Sequence, residues 1–251
     1  MRRTPIGLFA ISLCVFAAAC ESKPKTNPFE NKNAPVAPPP IKETPKPQGP
    51  PDFVVSAEGP KVGWTYVMLE KADGKQKLSA AVGAQREWVS GKEVKLRADR
   101  QAKVAHVAEM LRALTESGAS SVTVQTDTRT EFPKTVTFTA VGALMSKPTC
   151  SIVAKVLTER RNAVWSLSGG TAVKSPKGLA GPDMAMTQDN LTNAARRCKD
   201  SDVVFVSGDE DVEWGLIYDL SAATKVLDKV TFAKVVLIEP APVAGRPVKL
   251  D

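Results

Sequence analysis

Few side chains in this sequence have the types and spacing that catalysis or metal binding requires. Histidine occurs once, at His106, so histidine triads and multi-histidine metal sites are disfavoured. His106 lies beside polar positions of a predicted helix, and we expect its side chain to be exposed. Asp99 and Asp209 each end a predicted strand, and a hydrolase would need the fold to bring these two carboxylates together. We predict no catalytic residue, no metal ion and no cofactor.

Asp209, Glu210 and Asp211 form the sharpest acidic cluster. Carboxylates can bind calcium or act as general acids. They also stabilise the N-terminus of a helix, where the dipole favours negative charge, and we expect that second role here. The chain has four tryptophans, Trp64, Trp88, Trp165 and Trp214. We expect them in the core or in hairpins, with an exposed role left open for Trp88.

Cys20 ends an N-terminal segment typical of a secretory signal. Two arginines come first, an apolar stretch runs from Ile6 to Ala19, and small residues stand directly before Cys20. Small residues before a cysteine resemble a bacterial lipobox, and the stretch is shorter than the roughly 20 residues of a membrane span. We predict cleavage before Cys20, lipid on its thiol, and an exported protein anchored to a membrane and facing the periplasm. An ordinary signal peptide or a short transmembrane anchor, with an incidental cysteine, is the alternative.

The remaining cysteines can pair. Cys14 is removed with the predicted signal, which leaves Cys150 and Cys198 in a compartment that permits disulfides. A bond between them would close a loop of about 50 residues and stabilise the fold by roughly 4 kcal/mol. The alternative is two buried thiols, since a free cysteine packs as a small hydrophobic residue.

Composition separates a tether from a folded part. Residues 21–52 contain ten of the nineteen prolines, and such a segment can build neither a helix nor a packed core. With residues 1–19 as the signal, we predict an extended linker over residues 20–52 and an irregular tail over residues 241–251. The formal net charge of +7 is spread along the chain, which favours solubility, and we predict no nucleic-acid partner.

The first predicted unit covers residues 53–141. It has a strand at 64–69, a turn at Asp73-Gly74 that favours a hairpin with a second strand, and a helix near 85–91 that is vestigial or absent. A strand over 93–100 ends at an acidic turn, and apolar residues at helical spacing follow it until Gly118. Residues 121–125 alternate as a strand does, and residues 135–141 predict an extra strand between the units.

The second predicted unit covers residues 142–240 and repeats this order. A strand over 152–157 turns at Arg161-Asn162 into a second strand, and a helix capped by Thr187 follows. A strand over 203–210 ends at an acidic turn, a helix begins near Trp214, and residues 234–239 form the last strand. The sequence therefore predicts an α+β fold of two small units, each built as strand-strand-(helix)-strand-helix-strand.

Aligned without a gap through the turn and early helix, Asp99 falls on Asp209 and Glu109 falls on Asp219. The segment VVFVSGDEDVEWGLIYDL resembles the periplasmic domain of the ExbD/TolR family, in which a strand ends near an aspartate and a helix opens at an aromatic-glycine pair. Asp209 and the pair Trp214-Gly215 stand at those places. The first copy, VKLRADRQAKVAHVAEML, matches at Asp99 but lacks the pair.

The resemblance covers residues 95–127 and 150–239, and it implies a fold, a partner surface and a place in the envelope. Members of the family are subunits of proton-driven motors, and their periplasmic domains dimerise and contact cell wall or partner proteins. They are anchored by a transmembrane helix with an aspartate for proton transfer, whereas residues 1–19 contain no acidic residue. The motor role is therefore not implied, and the two units could pair within one chain or in a homodimer.

The sequence thus predicts a non-enzymatic envelope lipoprotein with ExbD/TolR-like domains. Its expected role is binding or scaffolding linked to Ton/Tol-type biopolymer transport, with envelope motor proteins or peptidoglycan as partners and the membrane contacted through the N-terminal lipid. A solute- or ligand-binding lipoprotein is the alternative, and an envelope hydrolase is the least favoured hypothesis.

Overall fold

The computed structural model describes residues 49–144, 146, 148–198 and 202–250. The strands are β1 (Phe53–Ser56), β2 (Gly59–Val62), β3 (Thr65–Tyr66), β4 (Glu93–Ala98), β5 (Ser121–Gln125), β6 (Thr135–Phe138), β7 (Ile152–Val156), β8 (Asn162–Ser166), β9 (Val173–Lys174), β10 (Lys177–Gly178), β11 (Gly181–Pro182), β12 (Val203–Gly208) and β13 (Lys234–Leu237). The α-helices are α1 (Gly74–Gly83), α2 (Arg86–Val89), α3 (Val104–Glu116), α4 (Met184–Ala195) and α5 (Trp214–Ala223). Cys20, the predicted signal and most of the predicted linker lie outside the described residues.

One mixed sheet of eleven strands organises the described chain, in the order β3-β2-β1-β4-β5-β6-β13-β12-β7-β8-β9. β1, β4 and β5 run parallel, and so do β7, β12 and β13. The predicted mixture of helices and strands is confirmed as a mixed α/β fold with one large sheet. Its assignment to two units of ExbD/TolR type stays a prediction.

The two halves of the sheet have the same order from either edge inward. A three-stranded meander, β3-β2-β1 or β9-β8-β7, is followed by two parallel strands, β4-β5 or β12-β13. β6 lies between the halves, antiparallel to β5 and parallel to β13. Both predicted units therefore contribute to one continuous sheet.

Helices cover one face of the sheet because their apolar residues recur at helical spacing. In α3, Val107, Met110 and Leu114 are fully buried at intervals of three and four residues. Strand β4 buries every second residue, as expected for a strand with one covered face. Side chains from α1, α3, α4 and α5 join those of the strands in one large core.

The second half of the sheet is covered on both faces. All six residues of β12 are buried, and a separate cluster forms on the face away from the helices around Trp165 and Phe205. Residues 241–250 have no helix or strand, as predicted, but they pack on this face. The indole Nε1 of Trp165 donates to the carbonyl of Arg246 at 3.0 Å, and Leu250 is buried.

Two local predictions in the first half are wrong. Asp73-Gly74 does not turn a hairpin, because Gly74 begins α1, a helix of ten residues that stands in place of the expected second strand. The vestigial helix expected near 85–91 is present as α2, which has four residues. The hairpin forms earlier, between β1 and β2, and Gly59 follows its turn with a φ of 130°, a value that glycine tolerates. The buried pair Leu78 and Val82, four residues apart, is the signal for α1.

The predicted cap of α4 is also wrong. The helix begins at Met184, and Asp183 caps it by accepting a hydrogen bond from the Met186 amide at 3.0 Å. Thr187 lies one turn inside, where its hydroxyl donates to the Asp183 carbonyl at 2.6 Å.

Within the described residues, no helix is both long enough and apolar enough to span a lipid bilayer.

Candidate functional site

Two equivalent loops lead from the centre of the sheet into its main helices. These helix-entry loops are residues 99–103, between β4 and α3, and residues 209–213, between β12 and α5. The amide of Asp99 donates to the carbonyl of Val55 in β1 at 2.8 Å, and the amide of Asp209 donates to the carbonyl of Val156 in β7 at 2.9 Å. The aspartates predicted to correspond therefore occupy corresponding backbone positions.

The two helix-entry loops run antiparallel past each other, with residues 100–103 in contact with residues 213–215. We call this contact the crossing. The amide of Trp214 donates to the carbonyl of Ala102 at 2.9 Å, and the amide of Gly215 donates to the carbonyl of Arg100 at 2.8 Å. Lys103 and Glu213 form an isolated antiparallel bridge. The crossing brings the sequence-predicted pair Trp214-Gly215 directly against the loop of the other half.

A close backbone approach at the crossing requires glycine at position 215. A Cβ atom there would lie 2.8 Å from the Cβ of Arg100 and 2.9 Å from its Cζ. The Arg100 side chain therefore passes over Gly215 on its way to α5.

Arg100 ends in an ion pair with a buried carboxylate on α5. Its Nη1 and Nη2 donate to Oδ1 and Oδ2 of Asp219 at 2.9 and 2.8 Å, and the Asp219 side chain is 2% exposed. The Thr128 hydroxyl donates to Oδ1 at 2.6 Å, and Nε of Arg129 lies 3.8 Å from Oδ2. Sequence reasoning missed this pair, although the alignment of Asp219 with Glu109 marked an acidic position in both helices.

Trp214 is a core residue at the crossing. Its side chain is fully buried, its Nε1 donates to the Thr126 hydroxyl at 2.9 Å, and its ring lies 5.7 Å from that of Phe138 and 6.1 Å from that of Tyr218. This agrees with the expectation that the tryptophans pack in the core. The packing joins the end of β5 to the start of α5, which belong to different halves.

Asp209 does not cap α5, contrary to the role expected for the acidic cluster. The cap position is Glu213, which makes no side-chain capping bond, while Oδ2 of Asp209 accepts from the amide and hydroxyl of Thr158 at 2.8 and 3.2 Å. Burial alone would raise the pKa of Asp209, but the Lys155 ammonium and the bonds from Thr158 outweigh it and hold the pKa below its usual value. Asp209 is thus an ionised carboxylate that fixes the β7–β8 hairpin.

Asp99 has different surroundings. It is exposed and lines a shallow cavity of about 400 Å³ together with Arg97, Gln101 and Asp127. Asp209 does not line that cavity. The two aspartates are thus not arranged as members of one polar pocket.

A larger groove lies beside α3, and sequence reasoning missed it. We call it the α3 groove; it has a volume of about 490 Å³. Its apolar lining comes from α3, β5, β6, β13 and the turn after β6, namely Ala108, Leu111, Val122, Phe138, Ala140, Val141 and Leu237. Its charged lining residues are Glu109, Arg112, Glu116 and Glu239.

The charges of the α3 groove are only partly neutralised. Arg112 donates to Glu109 and to Glu116 at 2.6 Å each, so its positive charge is already shared between two carboxylates. Burial would raise the pKa of Glu109, but Lys75 and Arg112 hold it below its usual value. Partial burial and the negative charge of Glu210 raise the pKa of Glu239. Glu109 thus has two cationic partners, whereas Glu239 forms no salt bridge with a described residue, so the uncompensated carboxylate of the groove is Glu239.

The predicted disulfide between Cys150 and Cys198 is present, with the two Cα atoms 5.4 Å apart. It ties the segment before β7 to the segment after α4. The bond thus closes the α4 region onto the sheet.

His106 is buried, so the expectation of an exposed side chain is wrong. It is 5% exposed, and its Nε2 lies 3.3 Å from Oε1 of Glu70. Its Nδ1 has no hydrogen-bond partner among the described residues. Burial lowers the pKa of the imidazole, and the charge of Glu70 only partly opposes this effect. The polar neighbours in sequence hid a position that faces β2.

The exposed tryptophan is Trp64 rather than Trp88. Trp64 is 93% exposed beside Tyr66 at the edge of the sheet, and Nζ of Lys61 lies 5.4 and 5.2 Å from their ring centroids. Trp88 is half-buried under the Lys92 ammonium, 5.1 Å from its ring centroid.

In the described ranges, no group of three or more His, Cys, Asp or Glu residues is placed to hold a metal ion. Comparison of the chain with protein-family models, with curated proteins and with solved structures finds no match.

Proposed function

We propose that the protein is a non-enzymatic binding or scaffolding protein of the bacterial envelope, held to a membrane by lipid on Cys20 and linked to Ton/Tol-type biopolymer transport. The crossing of the two helix-entry loops is the observation that carries this proposal. It joins two halves of equal strand order within one chain. The ExbD/TolR resemblance implies domains that pair, and an internal pair is one way to meet that requirement.

The charged groups near the crossing support a structural role. Arg100 is bound to Asp219, and Asp209 is bound to Thr158 and Lys155. A hydrolase with Asp99 and Asp209 as its carboxylate pair would need both groups to face one substrate. The engagement of Asp209 in the β7–β8 hairpin favours binding over hydrolysis.

The lipid anchor is tested by fatty-acid labelling in the native bacterium. The wild-type chain is expected to incorporate an alkyne fatty acid and to sediment with membranes, whereas Cys20→Ser does neither. Cys14→Ser is the matched control, because it removes another cysteine but leaves Cys20, and it should keep the label. An unlabelled wild-type chain contradicts the anchor.

The binding role is tested by crosslinking in intact cells followed by purification of the full chain. Motor subunits or peptidoglycan fragments are expected with the wild-type protein and are expected to be depleted with Cys20→Ser. Recovery of neither class from the wild-type chain contradicts the envelope scaffolding role.

A solute-binding function is the second candidate, and the α3 groove favours it. A volume of about 490 Å³, an apolar lining and a few charged groups are features of small-ligand sites. Thermal-shift screening of the purified protein tests it. A ligand that raises the melting temperature of the wild-type protein, but not that of Ala108→Trp, would support this function over scaffolding.

A further inference from the structure

The chain itself fills the space beside α5. The connection between β5 and β6, residues 126–134, runs along this helix. Its Thr128 hydroxyl bonds to Asp219, the hydroxyl of Tyr218 donates to the carbonyl of Pro133 at 3.3 Å, and the Phe132 ring is 6% exposed. An extended segment thus places a basic residue, Arg129, near the carboxylate and an apolar residue in the core.

The corresponding space beside α3 is the α3 groove. The alignment places Glu109 of α3 on Asp219 of α5. The strand registers likewise place Glu239, two residues after β13, where Thr126 follows β5. Glu109 and Glu239 both line the groove. It therefore occupies the position that the β5–β6 connection fills in the other half.

The groove stays open because the chain takes a different path after β13. Residues 240–250 pass to the face of the sheet away from the helices. There the Lys155 ammonium donates to the carbonyl of Pro242 at 2.8 Å, and the amide of Val248 donates to the carbonyl of Leu167 at 3.0 Å. No segment of the described chain covers α3 as residues 126–134 cover α5.

The lining of the groove fits a segment that, like residues 126–134, carries one basic and one apolar side chain. Leu111, Val141 and Leu237 are partly exposed and offer apolar surface, while Glu239 brings negative charge to its rim. Arg112, the cation that lines it, is already held by Glu109 and Glu116. A bound cation beside Glu239 would also relieve the effect of the negative charge of Glu210.

We propose that the α3 groove binds an extended peptide segment of a partner protein, with a basic side chain near Glu239 and an apolar side chain against Leu111 and Leu237. Arg129 and Phe132, three residues apart, supply this pattern on the other side of the molecule. The site goes beyond the proposed function, and it depends neither on Cys20 nor on membrane attachment. A failed anchor test therefore leaves it standing.

The test uses a capped peptide, TNTRTQFPK, which is the sequence of residues 126–134 with its two acidic residues made neutral. The purified protein is titrated into a fluorescently labelled form of this peptide. The fluorescence anisotropy of the peptide is expected to show saturable binding with a Kd of about 1 mM or tighter at low salt. Replacing the peptide's arginine by glutamate should weaken binding at least about fivefold, the effect of losing one partly exposed charge pair.

Variants of the protein locate the site. Glu239→Lys reverses a charge at the rim and Ala108→Trp fills the groove, and each is expected to weaken binding at least about fivefold. Asp189→Lys makes the same kind of charge change on the exposed surface of α4 and should leave the Kd unchanged. Thermal denaturation checks folding, and Glu239→Lys, at an exposed position, provides the test if Ala108→Trp does not fold.

Four outcomes overturn the proposal. They are the absence of saturable binding, binding that neither groove variant weakens, binding of arginine amide as tight as that of the peptide, and self-association that Glu239→Lys abolishes in sedimentation velocity. The third would assign the groove to a small cation and the fourth to a second copy of the chain.

Discussion

The guanidinium of Arg100 and the carboxylate of Asp219 form two parallel hydrogen bonds, although the two residues are 119 positions apart. Arg100 belongs to the helix-entry loop before α3, and Asp219 belongs to α5, so the ion pair spans the two halves of the sheet. Bidentate pairs of this kind fix orientation as well as distance. The pair therefore holds the crossing in one geometry.

Replacing Arg100 by methionine should destabilise the protein by about 3 kcal/mol, because Asp219 stays buried without its main partner. The value is at the low end for a broken buried pair, since Arg100 is itself partly exposed. Urea denaturation measures the loss. Arg112→Met is the matched control, because its side chain has similar exposure, Glu116 is exposed, and Glu109, although 16% exposed, keeps Lys75 as a partner. It should cost no more than about 1 kcal/mol. Equal losses would contradict a special role for the buried partner.

Gly215→Ala should destabilise the protein by about 1–3 kcal/mol through overpacking against Arg100. The added Cβ would lie 2.8 Å from the Cβ of Arg100, an atom that cannot move without its backbone. Gly83→Ala, at the end of α1, provides the comparison, because nothing lies within 4 Å of its added Cβ. That change should be neutral or stabilise by up to about 1 kcal/mol through helix propensity. Thermal melts should show a lower melting temperature for Gly215→Ala and an equal or higher one for Gly83→Ala. A stabilised Gly215→Ala would rule out the tight crossing.

The double variant Cys150→Ala/Cys198→Ala should lose about 4 kcal/mol of unfolding free energy, since the bond closes a long loop in the unfolded chain. Dithiothreitol should lower the melting temperature of the wild-type protein towards that of the variant and leave the variant itself unchanged. If the melting temperature of the wild-type protein does not change after complete reduction of the disulfide, the bond does not stabilise the fold.

His106 should titrate below its ordinary pKa of 6.5 because burial disfavours its charged form. Its histidine signal is unique in the sequence, so proton NMR of protein purified without a histidine tag reads it directly. The unfolded state binds the proton more readily than the folded state. The contribution to stability is therefore complete above about pH 6.5 and is lost as the pH falls from there through the folded pKa. A measured pKa at or above 6.5 would contradict this burial effect.

The periodicity of apolar residues correctly predicted the helices and strands whose own sequence shows one buried face. The strand, helix and strand over 93–125 and the corresponding elements over 203–237 form where the spacing placed them, because burial of one face decides local structure there. α1 was missed because Asp73-Gly74 has the composition of a hairpin turn, and the burial of Leu78 and Val82 in the core overrides that preference. The burial of His106 was not predicted because it depends on the packing of α3 against β2, and the sequence around His106 does not show which strand it faces.

The contacts that make the candidate site could not be predicted in this way. The Arg100–Asp219 pair depends on a crossing of two loops far apart in sequence, and no local pattern encodes such a crossing. The α3 groove depends on the path of residues 240–250, whose proline and glycine content predicted only irregular backbone. The alignment of Glu109 with Asp219 held the clue, since it marked two acidic positions whose surroundings turn out to differ.

The position of β1 has a mechanical consequence. The chain enters the folded part at Phe53, and β1 lies inside the sheet, bonded to β2 on one side and to β4 on the other. A pull along the axis of β1 through the preceding residues loads both rows of hydrogen bonds in shear, so the bonds must yield together. A strand pulled perpendicular to its axis would instead peel away one bond at a time. A domain tethered through its N-terminal segment would thus take the load at a strand that resists it, and its edges would stay unloaded.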